Sequence, residues 1–293
     1  FLMISMMFIF IPRASVSAQR IAEILETEPV IVDPDHPQPM QASAHGYVEF
    51  RNVSFRYDGA EEDALKNISF VAQPGETTAF IGSTGAGKST LVNLIPRFFD
   101  TTSGTVLVNG VDVRDLSQKE LRSRIGYVPQ KSVLMSGTIA SNIMYGNEDA
   151  TGAEVEQAAR IAQALSFISE KPEGFDAEIA QGGTNVSGGQ KQRLAIARAL
   201  AVKPDIFILD DCFSALDFKT DAALRKALKE HTGDSTVIIV AQRVSTIMNA
   251  NRIYVLNDGE IVGQGTHQEL LDSCPEYYEI AASQFSKEEL RHA

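Results

Sequence analysis

A chain of 293 residues with 44% hydrophobic and 22% charged side chains can bury a sizeable α/β core and has the balance of an ordinary globular protein. Its formal net charge of −12 argues against a nucleic-acid-binding surface, which needs a basic footprint. The two cysteines, Cys212 and Cys274, have no framework spacing and are read as thiols of a reducing compartment.

The chain opens on residues 1–11, FLMISMMFIFI, in which Ser5 is the only polar side chain. The run is membrane-grade but falls short of the roughly 20 apolar residues that cross a bilayer, and it is read as a truncated span. Two other readings are a signal peptide, with Val16, Ser17 and Ala18 as a cleavage-like site, and a buried core helix. A signal peptide needs a basic stretch ahead of its apolar run, and here none precedes it. Arg13 follows Pro12 where cytoplasmic flanks collect positive charge. Ala14, Ala18, Ile21 and Leu25 then recur at helical spacing, so the helix is expected to continue into the cytosol. Pro29, Pro34, Pro37 and Pro39 interrupt regular structure and predict an extended linker over residues 27–45.

A folded domain follows. Val48, Phe50, Val53 and Phe55 are candidate inward positions of antiparallel strands. A turn at Pro74 and Gly75 separates a run over 68–71 from one over 77–81. From there short apolar strands alternate with helices, as a mostly parallel sheet requires. Residues 131–180 carry few strand signals and a strongly helical stretch over 154–165, so a helical insert is expected. Three more strands are predicted over 206–209, 237–240 and 253–256, and the turn at Asn257, Asp258 and Gly259 folds a hairpin onto 260–264.

The strand over 77–81 runs into Gly82, Ser83, Thr84, Gly85, Ala86, Gly87, Lys88, Ser89 and Thr90, the phosphate-binding P-loop pattern, and a helical run over 88–95 follows. Its glycines let the backbone curl with N–H groups turned inward, and the helix N-terminus adds partial positive charge. Lys88 is expected at the β- and γ-phosphates and the Ser89 hydroxyl on Mg²⁺. The apolar run 206–209 ends in Asp210, where open α/β sheets place ligand groups, so Asp210 is the candidate carboxylate for the Mg²⁺ shell.

Asn185, Val186, Ser187, Gly188, Gly189, Gln190, Lys191, Gln192 and Arg193 resemble the signature motif of ABC transporter nucleotide-binding domains of the exporter kind, with Val186 in place of the usual leucine. A small hydroxyl and two glycines at a helix start, over 190–201, make a second phosphate receptor. The resemblance covers residues 46 to about 284. It implies a P-loop NTPase core of α/β class with a mostly parallel sheet, an antiparallel β subdomain and a helical subdomain. It implies ATP and Mg²⁺ as cofactors, with Ser187, Gly188, Gly189 and Gln190 reaching the ATP of an opposed second nucleotide-binding domain. In the same family pattern Tyr57 stacks on adenine and Gln130 touches the Mg²⁺ site and links it to the membrane domain. Ser214, Ala215, Leu216 and Asp217 match the D-loop, which crosses to the partner subunit, and the stretch after Gln130, from Met135 to Ile143, also resembles exporters. Residues 15–25 look like the end of an exporter's last transmembrane helix, implying a fused membrane domain and a place at the cytoplasmic face of a membrane.

The implied organisation is a helix end and cytoplasmic extension at 1–26, a linker at 27–45, the nucleotide-binding domain at 46–284 with its helical subdomain at 131–186, and a tail at 285–293. Two positions of the hydrolytic machinery depart from the family. Asp211 replaces the usual catalytic glutamate and Gln242 the usual switch histidine, and Gln181 stands where glutamate is frequent. Aspartate is one methylene shorter, and a glutamine amide exchanges no proton near neutral pH. ABC exporters that pair two unlike subunits show a similar combination, so a slow site in a heterodimer is expected. A fully active homodimeric exporter and a soluble ABC ATPase are the competing readings.

Overall fold

The computed structural model describes residues 1–40 and 45–285, so residues 41–44 of the expected linker and 286–293 of the expected tail lie outside the described residues. The chain divides between Val32 and Asp33 into two compact units. The first carries α1 (Leu2–Leu25), a helix that includes Pro12. No helix among the described residues is long and apolar enough to cross a membrane.

In the second unit, β1 (Val48–Phe55) and β2 (Leu65–Ala72) form an antiparallel pair. Val48, Phe50, Val53 and Phe55 are buried as the pattern predicts, but the three-residue step from Phe50 to Val53 breaks strict alternation. A register shift there, with Asn52 at φ 48°, restores the inward facing of the later residues. The turn at Pro74 and Gly75 leads into β3 (Thr77–Gly82), which hands over to α2 (Lys88–Leu94). Next come β4 (Ser103–Val108), β5 (Val111–Asp112), α3 (Gln118–Ser123) and β6 (Ile125–Val128).

The expected helical insert contains α4 (Ile139–Met144), α5 (Gly152–Ile161) and α6 (Leu165–Ser169), but a small antiparallel pair also stitches it. This pair joins β7 (Gly137–Thr138) to β8 (Glu178–Ile179), and two-residue strands leave no readable period. Then follow α7 (Gly188–Ala201), β9 (Ile206–Asp210), α8 (Phe218–His231), β10 (Thr236–Val240) and α9 (Val244–Ile247). The chain closes with the hairpin β11 (Arg252–Asn257) and β12 (Glu260–Gly265), then α10 (His267–Ser273) and α11 (Pro275–Gln284).

The main sheet has the order β12-β11-β3-β10-β9-β6, parallel throughout except for the β11–β12 hairpin. A second, antiparallel sheet has the order β2-β1-β4-β5. Both faces of the main sheet are covered. Ile81, Leu209, Ile239 and Val255 point into a core shared with α4, α5 and α7, while Phe80, Ile208, Ile238 and Leu256 point into one shared with α2 and the antiparallel sheet. That double burial explains why these strands read as unbroken apolar runs.

Candidate nucleotide-binding site

Parallel pairing sets the carboxyl ends of the central strands side by side. Val240 pairs with both Phe80 and Asp210, and Val128 pairs with Leu209, so the segments leaving β3, β6, β9 and β10 emerge together. Ligand groups collect at this edge of an open α/β sheet.

The loop from Gly82 to Gly87 connects β3 to α2 and depends on glycine at both ends. Gly82 has φ 157°, and a Cβ there would lie 2.1 Å from the Leu256 carbonyl oxygen. Gly87, the N-cap of α2, has φ 94°, and its Cβ would lie 2.8 Å from the Ala64 carbonyl oxygen. Side chains at either position would push the loop off the sheet. Within the loop Lys88 Nζ donates to the carbonyl oxygens of Gly82 (2.9 Å) and Ser83 (2.7 Å), so its ammonium sits across the curl. Burial lowers the Lys88 pKa, opposed by the negative charges of Asp211 and Asp210.

Ser89 Oγ donates to Asp210 Oδ1 at 3.1 Å, joining the first turn of α2 to the end of β9. Burial raises the Asp210 pKa, and neighbouring Asp211 adds to the rise, while the Ser89 hydrogen bond and Lys88 oppose it. A hydroxyl and a buried carboxylate are the hard oxygen donors that Mg²⁺ takes, and this ion needs only one or two protein ligands when phosphates and water complete its shell. The donor set therefore fits the ion, although the described residues contain no group of three or more His, Cys, Asp or Glu able to hold a metal.

Asp211 adopts φ 46°, a left-handed conformation that aspartate tolerates better than most residues. Its N–H bonds to the Val240 carbonyl oxygen (2.9 Å), which turns the chain sharply out of β9. Two side-chain amides then donate to the same oxygen, Asp211 Oδ2: Gln242 Nε2 at 2.8 Å and Gln130 Nε2 at 3.2 Å. Burial raises the Asp211 pKa, opposed by the Gln130 hydrogen bond, Lys88, Arg243 and the Gln242 hydrogen bond. Here the structure gathers Lys88, Ser89, Gln130, Asp210, Asp211 and Gln242 in one polar cluster.

Tyr57 stands at the far end of the loop segment, beside Thr90, and the signature residues stand elsewhere. Tyr57 follows β1 by two residues, since β1 ends at Phe55. Its hydroxyl shares a 2.9 Å hydrogen bond with Thr90 Oγ1, its ring meets Phe55 and Phe99 edge-on, and it remains exposed. Ser187 is the N-cap of α7 in a reciprocal capping box: Ser187 Oγ accepts from Gln190 N–H (3.2 Å) and Gln190 Oε1 accepts from Ser187 N–H (2.9 Å). The first N–H groups of the helix, at Gly188 and Gly189, have no carbonyl partner one turn back by construction, so α7 presents a polar tip suited to an anion.

Several contributors escape the motif reading. Arg243 lies over the Phe218 ring (5.6 Å) and donates to the Ser214 carbonyl oxygen (3.4 Å), tying the segment after β10 to the D-loop residues 214–217. Ser132 Oγ donates to Gln192 Oε1 (2.9 Å), linking the stretch after Gln130 to α7. Gln192 belongs to the signature motif, but its burial and its bond to Ser132 are readable only once the inner face of α7 is known. Cys212 and Cys274 are free and buried, and burial pushes the Cys212 pKa up, as for an inert thiol.

A mostly parallel sheet with a glycine-rich strand-to-helix loop at its carboxyl edge, an antiparallel sheet and a helical insert define a P-loop NTPase nucleotide-binding domain. The ABC transporter family matches residues 65–214. An uncharacterised ABC transporter ATP-binding protein of Mycobacterium tuberculosis strain H37Rv is 48% identical over 286 residues, covering 97% of this chain and 49% of its own length. An ATP-dependent lipid A-core flippase of Syntrophus aciditrophicus is 42% identical, covering 93% of this chain and 45% of its own length. A solved bacterial Atm1-family ABC exporter with ATP bound superposes with a TM-score of 0.88 at 36% identity, covering 96% of this chain and 49% of that one. The chain belongs to the ABC transporter family and is an ATP-binding domain homologous to those of ABC exporters. It spans about half the length of the relatives it matches.

Proposed function

We propose that this domain binds Mg·ATP, closes against a second nucleotide-binding domain and drives an exporter at the cytoplasmic face of a membrane, with slow hydrolysis in its own site. The observation that carries the reading is the contrast inside one cluster of side chains. Lys88, Ser89 and Asp210 meet in a geometry suited to phosphate and a hard cation, while the adjacent carboxylate, Asp211, is spanned by two neutral amides.

In this reading Gly82 to Thr90 cradle the phosphates, with Lys88 as the cationic contact, and Tyr57 offers a ring to the adenine. Ser89 and Asp210, with Gln130 nearby, would hold Mg²⁺, which when bound neutralises charge on the phosphate chain. Asp211 is the candidate base, short by one methylene and engaged by Gln130 and Gln242. Gln242 donates a hydrogen bond but takes no part in proton exchange near neutral pH. Phosphoryl transfer depends on positioning, so displacement of the base slows the step far more than it weakens binding. Ser187, Gly188, Gly189 and Gln190 complete the site of a non-identical partner, and the helix end at 1–26 joins a transmembrane domain on the same polypeptide.

The test compares ATP turnover by this protein alone with turnover by its coexpressed pair with a half-transporter carrying glutamate and histidine at the two positions. The reading expects slow hydrolysis alone and brisk hydrolysis by the pair. Brisk hydrolysis by this chain alone would favour the active homodimer.

A further inference from the structure

The last residue of α11 reaches back to the candidate site. Gln284 Nε2 donates to the Gln242 carbonyl oxygen and Gln284 Oε1 accepts from Val244 N–H, each at 2.8 Å. A carboxamide carries one acceptor and one donor face, as a peptide group does, so this side chain brackets Arg243 as a neighbouring strand would. Val244 opens α9, whose N-cap residue, Arg243, supplies no capping side chain. Gln284 fills that place from a different helix, taking up one of the N–H groups that a helix start leaves without a partner.

The anchor is firm. Tyr277, Ala281 and Gln284 fall at i, i+4 and i+7 on one face of α11, and the first two are fully buried. Tyr277 Oη and His267 Nδ1 of α10 lie 2.6 Å apart in a buried hydrogen bond. Two apolar contacts thus fix the helix, and the third position on the same stripe is an exposed amide whose bonds go to the backbone of residues 242 and 244. The side chain of the same Gln242 whose carbonyl oxygen Gln284 holds donates to Asp211 at 2.8 Å.

We infer that Gln284 is a positioning residue: α11 uses its amide to hold the backbone after β10, and so sets where the Gln242 side chain stands relative to Asp211. The inference rests on the reading of Gln242 and Asp211 as parts of an ATP site. Because Gln284 is exposed, its replacement removes two hydrogen bonds without opening the core.

The test is Gln284→Ala in the full-length protein, with two readouts. Amide hydrogen exchange at Val244 should quicken by about fivefold through loss of its acceptor. Single-turnover ATP hydrolysis should fall by about tenfold with ATP affinity within about twofold of the parent, as expected for a loss of alignment rather than of binding. In a Gln242→Ala background the same substitution should leave turnover unchanged, since the group being aligned is gone. Unaltered exchange at Val244, or an equal fall in turnover in the Gln242→Ala background, would overturn the inference. If the parent protein bound no Mg·ATP, the function proposed above would fail, while the exchange comparison would still decide whether Gln284 holds this segment.

Discussion

The loop after β3 and the side-chain cluster at the ends of β9 and β10 lie side by side, yet they follow different rules. The loop depends on backbone: glycines at Gly82 and Gly87 that no side chain can replace, and a lysine folded over the curl. The cluster depends on side-chain length and ionisation: one carboxylate, Asp211, in a left-handed turn and two glutamines on a single oxygen of it. Capture of a nucleotide tolerates changes in the second region that hydrolysis does not, because binding sums many contacts while the chemical step needs one base at one distance.

The largest effect should come from equalising the two regions. Asp211→Glu combined with Gln242→His should raise turnover in this chain's own site by about 100-fold, the scale of general-base catalysis, with ATP affinity little changed. Single-turnover hydrolysis measures it, and an unchanged rate would place the slow step elsewhere. Breaking the first region should do the reverse. Lys88→Ala should weaken Mg·ATP binding by about 30-fold through loss of charged hydrogen bonds, read by isothermal titration.

A smaller loss is expected from Tyr57→Ala. A ring stacked on a base contributes about 1 kcal/mol, so affinity should fall about fivefold while turnover at saturating ATP holds. The gentlest probe is pH. Burial disfavours the charged form of Asp211, so its pKa lies above the ordinary 3.8, and the acid limb of the turnover profile should sit at correspondingly higher pH, with activity lost as pH falls through it. Gln242 adds no ionisation, whereas Gln242→His should add one in the histidine range, near pH 6.5.

Much of this contrast was legible in the sequence because its parts are local. Gly82 to Thr90 are contiguous, and the doubly buried strands β9 and β10 announce themselves as apolar runs. Asp211 and Gln242 were visible as departures, but not their hydrogen bonding to each other, which depends on β9 and β10 being parallel neighbours in register. The bulge at Asn52 and the two-residue strands β7 and β8 left too short a trace for any period. Gln284 was hidden for a different reason: its partners are backbone groups 40 and 42 positions away, and contacts to backbone leave no mark in residue type.

The function proposed for this domain is a separation of nucleotide capture from nucleotide cleavage. It is tested most directly by measuring equilibrium Mg·ATP binding and ATP turnover on the same preparation of this protein without a partner. Saturable binding that weakens by about 30-fold in Lys88→Ala, accompanied by turnover far slower than that of the Asp211→Glu, Gln242→His double variant, is the predicted result. Turnover by the unaltered protein equal to that of the double variant would contradict it.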